Sequence, residues 1–204
     1  MNQLSKNTST LLFVMLTGML VVVSFISYNK ILQFNKSVEA IMHTNMVKLK
    51  IVEVGSKVTD AETGLRGYLL TGDSVFLQPY FGAERHNMLL FATLDSLISN
   101  NALQQENLKY LKTIVAEKYL LMNTNLKFLK ITSQNSFQDS ALLNAKNKMD
   151  EVRKQVELML QTEDKSLAER TRVKDRTATI TPVFLSVLSL ISILVMTLFF
   201  FRLQ

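Results

Sequence analysis

Val47 to Tyr68 reads VKLKIVEVGSKVTDAETGLRGY, and its apolar side chains return at a fixed interval. Val47, Ile51, Val54, Val58, Ala61, Leu65 and Tyr68 step by four and three residues alternately, which is the seam of a bundled or coiled helix. Downstream the rhythm recurs three times. Phe76, Tyr80, Ala83, Asn87, Leu90, Leu94 and Leu97 form a second stripe. Leu108, Leu111, Val115, Met122, Leu126 and Leu129 form a third, less regular one, and Leu142, Ala145, Met149, Val152, Val156 and Met159 a fourth. Glycine is sparse over this region (Gly55, Gly64, Gly67, Gly72 and Gly82) and Pro79 is its one proline, so helices are favoured over strands. The fold class read from this pattern is all-α, with four helices arranged as an antiparallel bundle.

The breaks between stripes carry turn chemistry. Thr71-Gly72-Asp73-Ser74 supplies a left-handed position at Gly72 and an N-cap at Asp73 or Ser74 for the second helix. With Asp73 as the cap, Pro79 falls beyond the first turn and is expected to kink that helix near its start. Asn101 with Gln104 three residues later resembles a capping box, and the polar run TSQNSFQD, Thr132 to Asp139, precedes the fourth helix.

On either side of these stripes lies an uncharged apolar block. Residues 11–28 read LLFVMLTGMLVVVSFISY and residues 180–201 read ITPVFLSVLSLISILVMTLFFF. As helices they reach about 27 and 33 Å, a match to the roughly 30 Å hydrocarbon core of a bilayer. A cleaved signal peptide is the competing reading of the first block, but no small-residue cleavage site follows it and the first alanine is Ala40. All 17 acidic residues and all but two of the 23 basic ones, Lys6 and Arg202, lie between the blocks. The expected organisation is therefore a cytoplasmic tail (1–10), a membrane helix (11–28), an extracytoplasmic helical domain (29–178), a second membrane helix (180–201) and a cytoplasmic stub (202–204). Two spans put both termini on one side, and a domain of this length is exported regardless of its charges. The implied location is a bacterial inner membrane, multi-pass.

Between the spans the first helix, Asn29 to about Leu70, and the fourth, about Asp139 to Ala178, each extend about 60 Å, whereas the second and third extend about 37 to 43 Å. The long pair projects as a two-helix stalk, which buries little apolar surface alone; packing two stalks together in a homodimer is the remedy.

The net charge of +6 raises the question of nucleic acid. Lys36, Lys57, Lys109, Lys118 and Lys130, however, are scattered among carboxylates and read as solvated helix faces, so no nucleic-acid partner is expected. Catalytic and cofactor chemistry finds no support. There is no cysteine; His43 and His86 are the only histidines and read as surface positions; phosphate-loop and dinucleotide glycine patterns are absent. Glu163 and Asp164 are adjacent, point to different faces and read as solvated charge. Met42, Met46, Met88, Met122 and Met159 read as core filler. The expectation is no catalytic residue, no metal and no cofactor, hence not an enzyme.

Asp60 to Tyr80, DAETGLRGYLLTGDSVFLQPY, closely resembles the signature of the third type of CHASE domain, a sensor module of bacterial histidine kinases, cyclases and related receptors. Lys148 to Arg170, with Met149, Asp150, Arg153, Glu163 and Arg170, is similar to a later helix of that family. The resemblance implies a helical ectodomain that passes a stimulus to a cytoplasmic output module, typically a histidine kinase. The chain given runs to Gln204, three residues past the second apolar block, so no such module lies within it. Two readings stay open: the input half of a two-component receptor, or a free-standing membrane-anchored protein that binds another envelope protein.

The residues that carry the resemblance (Asp60, Glu62, Arg66, Gly67, Tyr68, Thr71, Gly72, Asp73, Pro79, Tyr80, Met149, Asp150, Arg153, Glu163 and Arg170) have an architectural reading. Glu62 and Arg66 are in the favourable order for a helical ion pair, and Gly64 and Gly67 admit a neighbouring backbone. Counting from the tips of the long helices pairs Asp60 or Glu62 with Arg153. Pro182, at the edge of the second apolar block, is a candidate hinge. No aromatic cage or arginine cluster names a ligand.

Overall fold

The computed structural model describes the backbone of residues 3–128 and 135–203, and side chains chiefly over 11–127, 143–169 and 186–194. Among the described residues it is all-helical: α1 (Gln3–Thr71), a short 3-10 turn (Ser74–Leu77), α2 (Ala83–Leu97), α3 (Ala102–Phe128) and α4 (Asn135–Leu203). The fourth helix begins before the expected Asp139. Leu129 and the first three residues of the TSQNSFQD run, 132–134, lie outside the described residues, as do the side chains of Leu142, Arg170 and Pro182.

The chain divides into two compact units, residues 43–167 and residues 1–42 with 168–204. The second of these holds the apolar blocks. Among the described residues one helix, α1, is long and apolar enough to cross a membrane, with a window of mean hydropathy 1.6 whose side chains are not buried. Leu11, Phe13, Val14, Val21 and Phe25 are all more than half exposed, as a lipid-facing helix requires.

Unit 43–167 has one hydrophobic core, and the stripes supply it. Val47, Ile51, Val54, Val58, Ala61 and Leu65 of α1, Ala83, Leu90 and Leu94 of α2, Leu108, Leu111, Val115 and Met122 of α3, and Met149, Val152 and Met159 of α4 are buried together. Leu77, Ile98, Ile114 and Tyr119 join them. Met42, Met46 and Met88 do not: each is about half exposed or more, so the expectation that the methionines are core filler holds only for Met122 and Met159 of those named.

Neighbouring helices in this unit run in opposite directions, since partners descend along one as they ascend along the next. Lys48 of α1 pairs with Asp164 of α4, and Gly55 meets Val156. Glu53 of α1 meets His86 of α2 at 3.0 Å. Asp95 pairs with Lys112, Asn87 with Tyr119 and Tyr80 with Asn123 across α2, the preceding turn and α3. Gln104 reaches Met159 and Glu163, Gln155 reaches Asn107, and Glu117 pairs with Lys148 across α3 and α4.

The contact at Gly55 carries a prediction. A methyl group there would sit 3.4 Å from a Val156 methyl, an ordinary contact, while glycine inside a helix costs up to about 1 kcal/mol relative to alanine. Gly55→Ala is expected to stabilise the protein by about 0.5–1 kcal/mol, read from thermal unfolding of the full chain in nanodiscs. A loss of stability would mean that α1 and α4 approach more closely than this.

Candidate functional site

The signature segment begins on α1 and turns back over it. Gly72 adopts φ +75°, the left-handed value expected of it, and its N–H closes the helix on the Tyr68 carbonyl at 2.8 Å. Thr71 Oγ1 donates to the Gly67 carbonyl at 2.8 Å and accepts from the Asp73 N–H at 3.2 Å. Asp73 Oδ1 accepts from the Val75 N–H at 2.9 Å, so Asp73 caps the 3-10 turn and not the second helix. That helix starts later, after Gly82 at φ +83°. Pro79 therefore lies in the connection, outside any helix, and the expected kink near the start of α2 does not arise.

This returning turn lies against the glycines of α1. A Cβ on Gly64 would meet the Phe76 carbonyl oxygen at 2.5 Å, and one on Gly67 would meet the Phe76 ring at 2.7 Å. The close approach read from the GLRG spacing is thus made by the turn itself. Beside it Asp60, Thr63, Gly64, Phe76 and Pro79 line an open cleft of about 420 Å³. Asp60 and Arg66 are exposed, while Tyr68 packs partly buried against the core.

Below the turn the core is polar at its centre. Lys118 of α3 is fully buried, and its ammonium donates to Glu62 Oε1 at 2.9 Å and to the Ala145 carbonyl at 2.8 Å, tying α3 to α1 and α4. Glu62 is thereby engaged with Lys118 and neither with Arg66 nor with Arg153. Arg153 instead donates to Asp150 at 3.1 Å on its own helix, beside Lys146 at 2.9 Å. The expected pairing of Asp60 or Glu62 with Arg153 fails because a third helix supplies the cation. Burial lowers the Lys118 pKa, the hydrogen bond it donates to Glu62 raising it in part and the nearby Arg153 and Arg66 charges lowering it further. Lys118 is accordingly not the solvated lysine that composition suggested.

A second polar crossing lies further along α4. Gln104 is fully buried; its backbone N–H is capped by Asn101 Oδ1 at 3.1 Å, as half of a capping box. Its amide donates to the Met159 carbonyl at 3.0 Å and to Glu163 Oε1 at 2.8 Å. Glu163 is buried on this account, and only its neighbour Asp164 is solvated. Met149 belongs to the hydrophobic core.

The third polar group joins α2 and α3. Asn87 Nδ2 donates to Tyr119 Oη at 2.9 Å, and Tyr80 bonds Asn123 beside it. Burial holds both tyrosine hydroxyls above their ordinary pKa, with Glu84 adding to the effect. A phenol whose folded pKa is raised binds its proton longer than the unfolded chain does, so folding stability falls as pH climbs past the ordinary value near 10. Lys118, with its lowered pKa, acts in the opposite sense. Comparison with Tyr119→Phe isolates the phenol: between pH 9.5 and 11 the wild type is expected to lose about 1 kcal/mol more than the variant. Parallel pH profiles of unfolding would refute this.

The match to known families follows the same ground. A family model described as the CHASE3 domain matches residues 37–173, more than half of the chain. The chain belongs to the CHASE3 family. CHASE3 domains are extracellular sensor modules of signalling proteins, and the matched stretch contains Asp60 to Tyr80, the buried Lys118 and the Glu163 crossing. No curated protein and no solved structure matches the chain. Within this CHASE3 domain, Lys118, Gln104 and Tyr119 are the residues that sequence reasoning missed. The signal for Lys118 was its register, since Leu111, Val115, 118 and Met122 form one unbroken seam.

Proposed function

We propose that this chain is the input module of a membrane receptor. In this reading unit 43–167 is an antiparallel four-helix bundle on the outer side of a bacterial membrane, carried between membrane helices at 11–28 and 180–201, with both termini in the cytoplasm. A stimulus shifts the packing of the bundle, and the shift travels along α4 into the second span, with Pro182 as the hinge, to an output domain such as a histidine kinase. The module works as a homodimer and performs no catalysis itself. The observation that carries the proposal is the CHASE3 match at 37–173, set between two apolar segments.

The buried polar crossings support it physically. A core held by oil alone repacks in many small steps, whereas Lys118–Glu62 and Gln104–Glu163 have defined partners and favour discrete arrangements. The test is a fusion of residues 1–204 to a histidine kinase core. Gln104→Leu and Glu62→Gln are expected to move kinase output up or down at unchanged membrane abundance, and Pro182→Ala to alter it as well. Output identical across all three variants would count against transmission through this bundle.

A further inference from the structure

One face of α2 and one face of α3 enclose a trough that none of the signature residues lines. Glu84, Asn87 and Phe91 come from α2 at the spacing that stacks side chains along a helix, and Val115, Ala116 and Tyr119 come from α3. The space holds about 330 Å³, within the roughly 300–1,000 Å³ of small-molecule sites. At one end Lys112 and Asp95 neutralise each other at 2.5 Å. At the other end lie Asn87 and Tyr119.

At that second end one buried acceptor lacks a donor and one exposed carboxylate lacks a counter-charge. Asn87 is 1% exposed; its Nδ2 is taken by Tyr119, and its Oδ1 has no hydrogen-bond partner. A buried acceptor left without a donor is destabilising, and a ligand N–H placed there relieves it. Glu84 lies one turn earlier on the same face, and it has no ion-pair partner among the described residues. Its charge is felt by the hydroxyls of both Tyr80 and Tyr119. The trough is thus apolar along its length and uncompensated in negative charge at one end.

We propose that this trough binds a small organic ammonium compound, its cation at Glu84 and Asn87 Oδ1 and its apolar body along Phe91, Val115 and Ala116. An ammonium brings an N–H donor for the buried Asn87 oxygen and a counter-charge for the Glu84 carboxylate. That such a compound is the stimulus rests on the input-module reading; that it binds does not.

The experiment uses the full chain in nanodiscs and three matched probes: 2-phenylethylamine, 2-phenylethanol and phenylacetate. Calorimetry is expected to give saturable one-site binding of the amine, about tenfold weaker binding of the alcohol and none of the anion. Glu84→Gln should weaken the amine about tenfold while leaving the alcohol unchanged, and Ala116→Leu should abolish both by filling the trough. Glu84 and Ala116 are exposed helix positions, so both variants are expected to fold, which their melting temperatures check. No saturable binding of the amine, equal binding of the anion, or binding untouched by either variant would overturn the site. Saturable amine binding that fails to change the output of the kinase fusion would leave the site standing and remove its role as stimulus.

Discussion

Replacing Lys118 with alanine is expected to lower the unfolding free energy by about 3–5 kcal/mol, the loss typical of breaking a buried ion pair from one side. Lys118 is fully buried, and its ammonium is shared between Glu62 at 2.9 Å and the Ala145 carbonyl at 2.8 Å. Alanine leaves a carboxylate and a carbonyl without their donor and a void where the lysine stem packed. The effect belongs to the broken partnership more than to the lysine itself. Glu62→Gln alone should also destabilise, because the ammonium then stays buried without a counter-charge. Lys118→Met with Glu62→Gln should recover most of the loss, since methionine fills the stem volume and neither charge remains. Unfolding of the full chain in nanodiscs measures all three. A Lys118→Ala variant within about 1 kcal/mol of wild type would place the side chain at the surface.

Gly64→Ala is the second large effect, in the opposite direction to Gly55→Ala on the same helix. Alanine favours the helix by up to about 1 kcal/mol, but at position 64 its methyl would lie 2.5 Å from the Phe76 carbonyl oxygen and 3.4 Å from the Pro79 ring. The obstacle is backbone, held by the Asp73 cap and by proline, so the turn must lift from α1. A net loss of about 1–3 kcal/mol is expected. Gly67→Ala should cost less, because its obstacle is the Phe76 side chain, 44% exposed, and not backbone. The order of stability Gly55→Ala, Gly67→Ala, Gly64→Ala is the prediction, and thermal unfolding of the three variants reads it. Equal effects at 64 and 67 would mean that the returning turn does not rest on the GLRG face.

The fold was legible where one physical rule governed several residues at once. The seam from Val47 to Leu65 repeats at the helical period, and every member is buried. Gly72 was legible because a left-handed position after a helix suits few other residues. The polar core was not. Lys118 and Glu163 carry charge, and composition alone assigns charge to solvent; both are buried because a partner on another helix meets them. Such a partner is a fact of register between helices, which no single helix states. The same limit explains the failed Arg153 pairing: counting from the tips compared α1 with α4 and left out α3, whose Lys118 reaches Glu62. Pro79 was misplaced because a short 3-10 turn held by Asp73 delays α2 until Ala83.

The central claim, a sensing domain outside the membrane between two spans, is open to one direct measurement. The chain contains no cysteine, so single cysteines can be introduced one at a time without background. Tyr110→Cys lies on an exposed face of α3, while Ser5→Cys and Leu203→Cys lie beyond the two apolar segments. In intact bacterial spheroplasts a membrane-impermeant maleimide is predicted to label position 110 and to reach positions 5 and 203 only after lysis. Labelling of position 5 or 203 in intact spheroplasts, or protection of position 110, would contradict the account.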